Sequence, residues 1–263
     1  MPDGRDAPRF FVRPESLSAG AAFAPREPFA PGAELLLPRD EAHHAAHVLR
    51  LAAGSTVIVF DGRGASAEAR LVRAARGEVA VVVEAVRPAA DPPRPAVRLA
   101  FAVPKGRRLD WLLEKATELG AARLAPVRFA RSVAGGEALG PATRARWEAR
   151  CIAAAKQAGV DWLPAVEPVR PLAEALPAGE PALFGDTRPD AAPLAEALAA
   201  LAHGGPPGTL HIYVGPEGGL TEDESRALCD AGAVPVRLGR TVLRTETAAV
   251  ALLAATAAIL GAC

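Results

Sequence analysis

The sequence predicts an α/β protein in two parts: a small β-barrel towards the amino terminus, and after it a mostly parallel sheet flanked by helices. Three observations lead there. Over residues 9–87, short runs rich in β-branched and aromatic residues follow one another with a single helical pattern among them. Beyond residue 95 such runs alternate with apolar residues at helical spacing, the pattern of β-α units in a parallel sheet. Between the two regions stands Pro88-Ala89-Ala90-Asp91-Pro92-Pro93-Arg94-Pro95, where four of eight residues are proline and neither a helix nor an interior strand can persist.

In the first part, strands are expected at 9–12, 34–37, 55–61, 65–72 and 78–86, with turns at Asp61-Gly62 and Arg76-Gly77. A helix at 40–51 interrupts them, with Asp40 as its N-cap. In the second part, a strand at 97–103 precedes a helix at 108–119 that carries Leu109, Leu112, Leu113, Ala116 and Leu119 on one face and Gly120 where a C-terminal cap belongs. A strand at 124–130, a loop with Gly135-Gly136 and a long helix at 142–158 follow. Shorter units come next: helix 172–176, strand 181–185 and helix 193–202. Two strands, 209–214 and 234–238, then each lead through a loop motif into a helix. Thr221 and Glu224 have capping-box spacing at the first of these helices, and Thr245 stands where it can cap the second, with Glu246 in its first turn.

Formal net charge is zero, with 30 basic and 30 acidic residues, but the charges are unevenly spread. Residues 94–156 hold 13 Lys and Arg against 5 Asp and Glu, whereas residues 157–263 hold 6 against 13. The middle of the chain is therefore a candidate anion-binding surface, against the plainer reading of solvated helix faces. Cys151, Cys229 and Cys263 stand far apart without a C-x-x-C pair, which argues against a zinc knuckle or a disulfide framework and makes them packing residues. His43, His44 and His47 lack the carboxylate that a zinc protease places between its histidines, so no metal is expected. The apolar run 248–260 is shorter than the ~20 residues of a membrane span and reads as a buried or interface helix. Residues 1–13 are polar and charged rather than apolar, so no signal peptide or membrane association is expected, and the protein is placed in the cytoplasm.

The two loop motifs are Gly215-Pro216-Glu217-Gly218-Gly219 and Leu243-Arg244-Thr245-Glu246-Thr247. In a parallel sheet, ligands bind outside the carboxyl ends of the strands, where both motifs fall. The first has neither the Lys-Ser/Thr ending of a phosphate loop nor the spacing of a dinucleotide site, and Glu217 would repel a phosphate. S-adenosylmethionine, with an adenosine, a carboxylate and a positive centre, fits better. Glycine pairs are also ordinary turn formers, and from spacing alone that reading stands beside the functional one.

Lys105-x-x-Arg108-x-Asp110, Lys115-Ala-Thr-Glu118-Leu-Gly120, Val214-Gly-Pro-Glu-Gly-Gly-Leu220-Thr-x-x-Glu224 and Leu238-Gly239-x-x-Val242-Leu-Arg-Thr-Glu-Thr-Ala248 together resemble the bacterial ribosomal RNA small subunit methyltransferase E family. Arg9-Phe-Phe, His44-x-x-x-Leu49 flanked by Val48 and Arg50, and Phe60-Asp61-Gly62 extend the resemblance over nearly the whole chain, in order. It implies a SPOUT-type α/β domain with a trefoil knot at 96–263, an RNA-binding PUA-like β-barrel at 1–87 and a linker at 88–95. It also implies a homodimer that transfers a methyl group from S-adenosylmethionine to N3 of a uridine in 16S ribosomal RNA of the small ribosomal subunit.

Carried onto this sequence, the resemblance makes Gly215, Pro216, Glu217, Gly218 and Gly219, with Leu238, Gly239, Leu243, Thr245 and Thr247, the cofactor-binding residues. An earlier loop near 184–188 would join them. N3 of uridine is a poor nucleophile until its proton is shared, so a base and a cation are expected. Arg244 is the candidate cation. Glu246 or Glu217 would accept the proton, with Glu246 preferred, although a helix-stabilising charge is an equal reading of Glu246. Lys105, Arg107, Arg108, Arg128 and Arg131, at or just after strand ends, are candidate RNA-binding residues, together with Arg9 and Arg50 from the barrel. The sequence departs from the family at Gln157-Ala158-Gly159-Val160, where Gln-Ser-x-Arg is usual, and Trp162 is a candidate to fill the space. A non-catalytic RNA-binding or ribosome-assembly protein of the same fold would predict decay at Arg244, Glu246 or the glycine loop, all of which are intact. A hydrolase using Glu217 as base would need a nucleophile, metal cluster or partnered histidine that the motifs do not supply.

Overall fold

A computed structural model of the protein describes residues 7–13, 29–75, 77–132 and 140–261. Arg76, the Gly135-Gly136 loop and Cys263 lie outside the described residues. The chain divides into two units, Met1–Pro92 with Ala155–Leu163, and Pro93–Ala154 with Pro164–Cys263.

In the first unit, β1 (Arg9–Phe11), β2 (Glu34–Leu36), β3 (Thr56–Phe60), β4 (Ser66–Ala75) and β5 (Glu78–Val86) form one sheet in the order β1-β3-β4-β5-β2. β1 runs parallel to β3 and the other pairs are antiparallel. Two register shifts along β4 and β5 mark bulges, which raise local twist. Alternate side chains meet in a core that includes Phe10, Val57, Val59, Leu71, Val81 and Val83. The expected helix is a short α1 (Arg39–His43) that continues as a π-helix over His44–Val48. Its N-cap is Pro38 rather than Asp40, and Asp40 instead occupies the acidic first turn, where the helix dipole favours it.

Ala155–Leu163 belongs to this unit because its polar groups complete the Asp61 turn. Asp161 accepts from Arg9 and from Ser66 Oγ, its carbonyl accepts from Gly64 N, and Leu163 N donates to Gly62 O. Lys156 donates to Glu41 at 2.6 Å. Trp162 lies against Gly64, whose φ is +94°, and donates from Nε1 to Ala90 O. Val160 offers its carbonyl to Arg9.

The second unit holds one parallel sheet. Its strands are β6 (Ala96–Ala102), β7 (Arg123–Arg128), β8 (Ala165–Val166), β9 (Arg170–Pro171), β10 (Ala182–Gly185), β11 (Ala192–Pro193), β12 (Thr209–Val214) and β13 (Ala233–Arg237). The order is β11-β13-β10-β12-β6-β7-β8, with β9 also paired to β7. Its helices are α2 (Arg107–Glu118), α3 (Pro141–Ala158, of which the last four residues belong to the first unit), α4 (Leu172–Ala175), α5 (Leu194–Ala202), α6 (Glu222–Asp230) and α7 (Thr245–Leu260). Adjacent β6 residues serve opposite faces: Ala100 and Ala102 join Phe184, Tyr213 and Leu228 in one core, while Phe101 stacks obliquely near Trp147 of α3. Covering both faces explains why these strands read as near-continuous apolar runs. Gly120, at φ +71°, ends α2 as expected. The two-residue strands β8, β9 and β11 are too short to leave a periodic signal.

Along β6 and β12 lies a partly buried polar network. Arg98 makes a two-pronged bond to Glu167, Tyr213 Oη donates to Ala175 O, and His211 Nε2 meets Glu180 at 2.6 Å. Burial pushes the Tyr213 hydroxyl up to about 12 and the His211 imidazole below its ordinary value. Among the described residues, no helix is long and apolar enough to cross a membrane.

Candidate active site

β13, β10 and β12 are neighbours, so the loops leaving their carboxyl ends emerge side by side. These loops, Gly185 to Arg188, Gly215 to Leu220 and Leu238 to Leu243, enclose a cavity of about 490 Å³ that the first turns of α6 and α7 complete. This is within the range of small-molecule sites.

Each loop is held by identifiable contacts. Gly219, at φ +72°, donates from its N to Pro216 O in a tight turn that favours glycine. A Cβ on Gly215 would lie 2.9 Å from Leu220 Cδ2, and one on Gly218 would lie 3.3 Å from Arg131 Cβ, so both glycines permit close approach. Arg131 donates to Gly218 O at 2.9 Å and lies 3.3 Å from Leu220 O. Thr221 and Glu224 form the expected capping box, and Glu224 Oε1 also accepts from Ala130 N. In the earlier loop, Asp186 Oδ1 accepts from Arg188 N and its other oxygen from the Arg188 guanidinium. The N-cap of α7 is Arg244 without a side-chain bond; Thr245 is already helical and its hydroxyl donates to Gly215 O at 3.0 Å. The expected cap is thus a tether between the two loop motifs.

Of the proposed cofactor residues, Gly215, Pro216, Glu217, Gly218, Gly219, Leu238, Gly239, Leu243 and Thr245 line the cavity, while Thr247 is exposed outside the lining. Thr221, Ser225, Ala248 and Leu252 line it as well. Thr245, Ala248 and Leu252 follow i, i+3, i+7 spacing, a signal that periodicity could have supplied. The lining combines apolar walls from Val214, Leu238 and Leu252 with backbone amides, carboxylates at Asp186, Glu217 and Glu222, and guanidinia at Arg131, Arg188 and Arg240. Such a set suits a ligand bearing an apolar ring, a carboxylate and a positive centre, as S-adenosylmethionine does.

Arg244 is exposed and has no side-chain partner among the described residues. Glu246 is buried and is not part of the lining. Glu217 lies on the lining and pairs with Arg108, whose Nε is also 3.9 Å from Glu246 Oε1. Lys105, Arg107 and Arg128 are exposed at the carboxyl ends of β6 and β7, the end of the sheet that carries the cavity, while Arg131 is bound to the glycine loop. In the first unit, Arg50 is exposed at φ +52°, a conformation uncommon outside glycine. Arg9 is bound to Asp161 and Val160 and lies over the Phe60 ring.

The family model for an RNA methyltransferase domain matches residues 91–257, and that for an RNA methyltransferase PUA domain matches residues 37–84. The chain is 37% identical over 233 residues to a Mycobacterium bovis protein named ribosomal RNA small subunit methyltransferase E, covering 85% of this chain and 86% of that one. It is 31% identical over 215 residues to the Bacillus subtilis protein of the same name, covering 80% and 84%. Among solved structures, a ribosomal RNA small subunit methyltransferase E from Neisseria gonorrhoeae bound to S-adenosyl methionine matches with a TM-score of 0.81 at 28% identity, covering 96% of this chain and 97% of that one.

Proposed function

The chain belongs to the ribosomal RNA small subunit methyltransferase E family, and from that premise we propose that it transfers a methyl group from S-adenosylmethionine to N3 of a uridine in 16S ribosomal RNA. The observation that carries this reading is the convergence of three loops on one cavity at the carboxyl ends of β10, β12 and β13. The relative from Neisseria gonorrhoeae, similar over nearly its whole length, has S-adenosyl methionine bound.

When bound, the cofactor supplies an electrophilic methyl group on a sulfonium. The backbone amides of the glycine loop and of Leu238 to Leu243, which line the cavity, would hold it, and Thr245 keeps the two loops together through Gly215. Arg244, with its guanidinium free of side-chain partners among the described residues, is the cation that stabilises charge on the uracil carbonyl oxygens. Lys105, Arg107 and Arg128 hold RNA phosphates, which carry most of the affinity and make it salt-dependent. The amino-terminal domain, with its match to a PUA domain, binds RNA. A trefoil knot in the carboxyl-terminal domain, a homodimeric state, action on the small ribosomal subunit and a cytoplasmic location complete the reading.

The test is methylation of 30S subunits and of naked 16S RNA with labelled cofactor, followed by mapping of the modified base. 3-Methyluridine is expected on at least one substrate, and its absence from both rejects the proposal. Arg244→Ala is expected to lower turnover by about 100-fold or more while changing cofactor affinity little. Equal losses in both would make Arg244 a binding residue instead.

A further inference from the structure

We propose that Glu217 is the group that accepts the N3 proton, that Arg108 is the positioning residue that presents it, and that Glu246 is the buried anchor of Arg108. This rests on the methyltransferase reading above and divides labour between two carboxylates that the sequence left in competition, with a slight preference for Glu246.

Three side chains from three elements meet at one point. Arg108 stands in the first turn of α2, Glu217 in the glycine loop and Glu246 in the first turn of α7. Arg108 Nη1 donates to Glu217 Oε1, and Arg108 Nε lies 3.9 Å from Glu246 Oε1. The second contact is an ion pair beyond hydrogen-bonding distance. One guanidinium thus serves two carboxylates, and the two differ in every respect that matters for proton transfer.

A general base must come within hydrogen-bond reach of the proton that it takes. The Glu217 side chain is 53% exposed and lines the cavity. Its Oε1 is occupied by Arg108, and its Oε2 accepts no hydrogen bond among the described residues. The Glu246 side chain is 8% exposed, lies off the cavity lining, and its Oε2 is buried without a donor among the described residues. In this arrangement that oxygen is closed to an acceptor RNA base. What Glu246 does offer is a fixed negative charge at a helix amino terminus, where the dipole favours it, beside the Nε side of Arg108. That charge holds the guanidinium so that Nη1 points to the loop. A buried carboxylate oxygen without a donor is costly.

The step balances without a further reactant. N3 gives its proton to Glu217 Oε2 and bonds the methyl carbon as that carbon's bond to sulfur breaks, the electron pair staying on sulfur. The product sulfur is a neutral thioether, and Glu217 returns its proton to water.

The test uses the full-length protein and measures methyl transfer against pH, together with binding of S-adenosylhomocysteine by calorimetry. Glu217→Gln is expected to lower kcat by about 100-fold or more and to remove the fall in rate on the acidic side, with product binding within about threefold of the unaltered protein. Glu217→Asp, which keeps the carboxylate, should recover part of the rate and the acidic fall. Glu246→Gln and Arg108→Ala are expected to lower kcat by about tenfold while keeping the acidic fall, and Arg108→Lys should recover part of the loss. The proposal is overturned if Glu246→Gln removes the acidic fall while Glu217→Gln keeps it, or if Glu217→Gln methylates at the unaltered rate. Loss of product binding in Glu217→Gln also overturns it, since Glu217 would then be a cofactor ligand. Failure of the unaltered protein to form 3-methyluridine would sink the underlying reading; normal methylation with an indifferent Glu217 would sink this assignment alone.

Discussion

Replacing Thr245 by Val removes one hydroxyl from the floor of the cavity and changes little else in shape. In the native structure that hydroxyl donates to Gly215 O at 3.0 Å, joining loops 30 positions apart. Thr245 is buried and Gly215 half-buried, so water replaces the lost donor only in part. A net hydrogen bond is worth about 0.5–1.5 kcal/mol, and an unsatisfied buried acceptor costs about 1–3 kcal/mol. With partial solvation the penalty is about 1–1.4 kcal/mol, which at about 1.4 kcal/mol per decade corresponds to about 5–10-fold. Because both partners line the cavity, the penalty falls on the conformation that binds cofactor. Calorimetric titration with S-adenosylmethionine should therefore show Kd raised about 5–10-fold in Thr245→Val, and within about twofold in Thr245→Ser, which keeps the donor. Equal affinities for the Val and Ser variants would refute the tether.

Other outcomes follow from the same structure. Gly64→Ala should destabilise the first unit by about 3 kcal/mol or more in urea unfolding, since φ is +94° and the new Cβ would stand 2.7 Å from both Ala90 O and Trp162. Gly77→Ala, at φ +82° but with nothing within 4 Å, should cost only about 1–2 kcal/mol. Glu224→Ala removes acceptors from Thr221 N and Ala130 N and should lower the urea stability of the second unit by about 1–2 kcal/mol. His211 is faced by Arg98, Glu167, Glu180 and Tyr213, and its imidazole is held below the ordinary value chiefly by burial, with Glu180 opposing. The folded state then binds fewer protons than the unfolded chain, so stability is present above about pH 6.5 and is lost as pH falls towards the folded value. Urea midpoints from pH 7.5 down to 5 should therefore drop less in His211→Gln than in the unaltered protein, and parallel curves would refute the assignment.

Much of the scaffold is legible locally. α2 announces itself through Leu109, Leu112, Leu113 and Ala116 at helical spacing with Gly120 behind them, and α6 through Thr221 and Glu224. The helix after β2 was less legible: its second half is a π-helix, and its N-cap is a proline that no capping rule favours for a side-chain bond. In the candidate site, nine of the ten residues expected around the cofactor line the cavity, because glycines at strand ends mark backbone that must approach something closely. Arg9 and Arg131 were legible as cations, but their partners, Asp161 and the carbonyls of Gly218 and Leu220, lie far away in sequence and were not.

What the chain by itself determined, then, is which segments are strands and helices and which loops are glycine-rich, since periodicity, capping and the φ freedom of glycine act within a few residues. Only the tertiary structure decided that Ala155–Leu163 returns to the first unit, that three loops share one cavity, and that Arg108 stands between Glu217 and Glu246. Arg108 and Glu217 are 109 positions apart, and such a pairing leaves no periodic trace in the sequence. It is set by the order in which parallel strands lie side by side, which places β12 next to β6 and so brings the loop after one against the helix after the other.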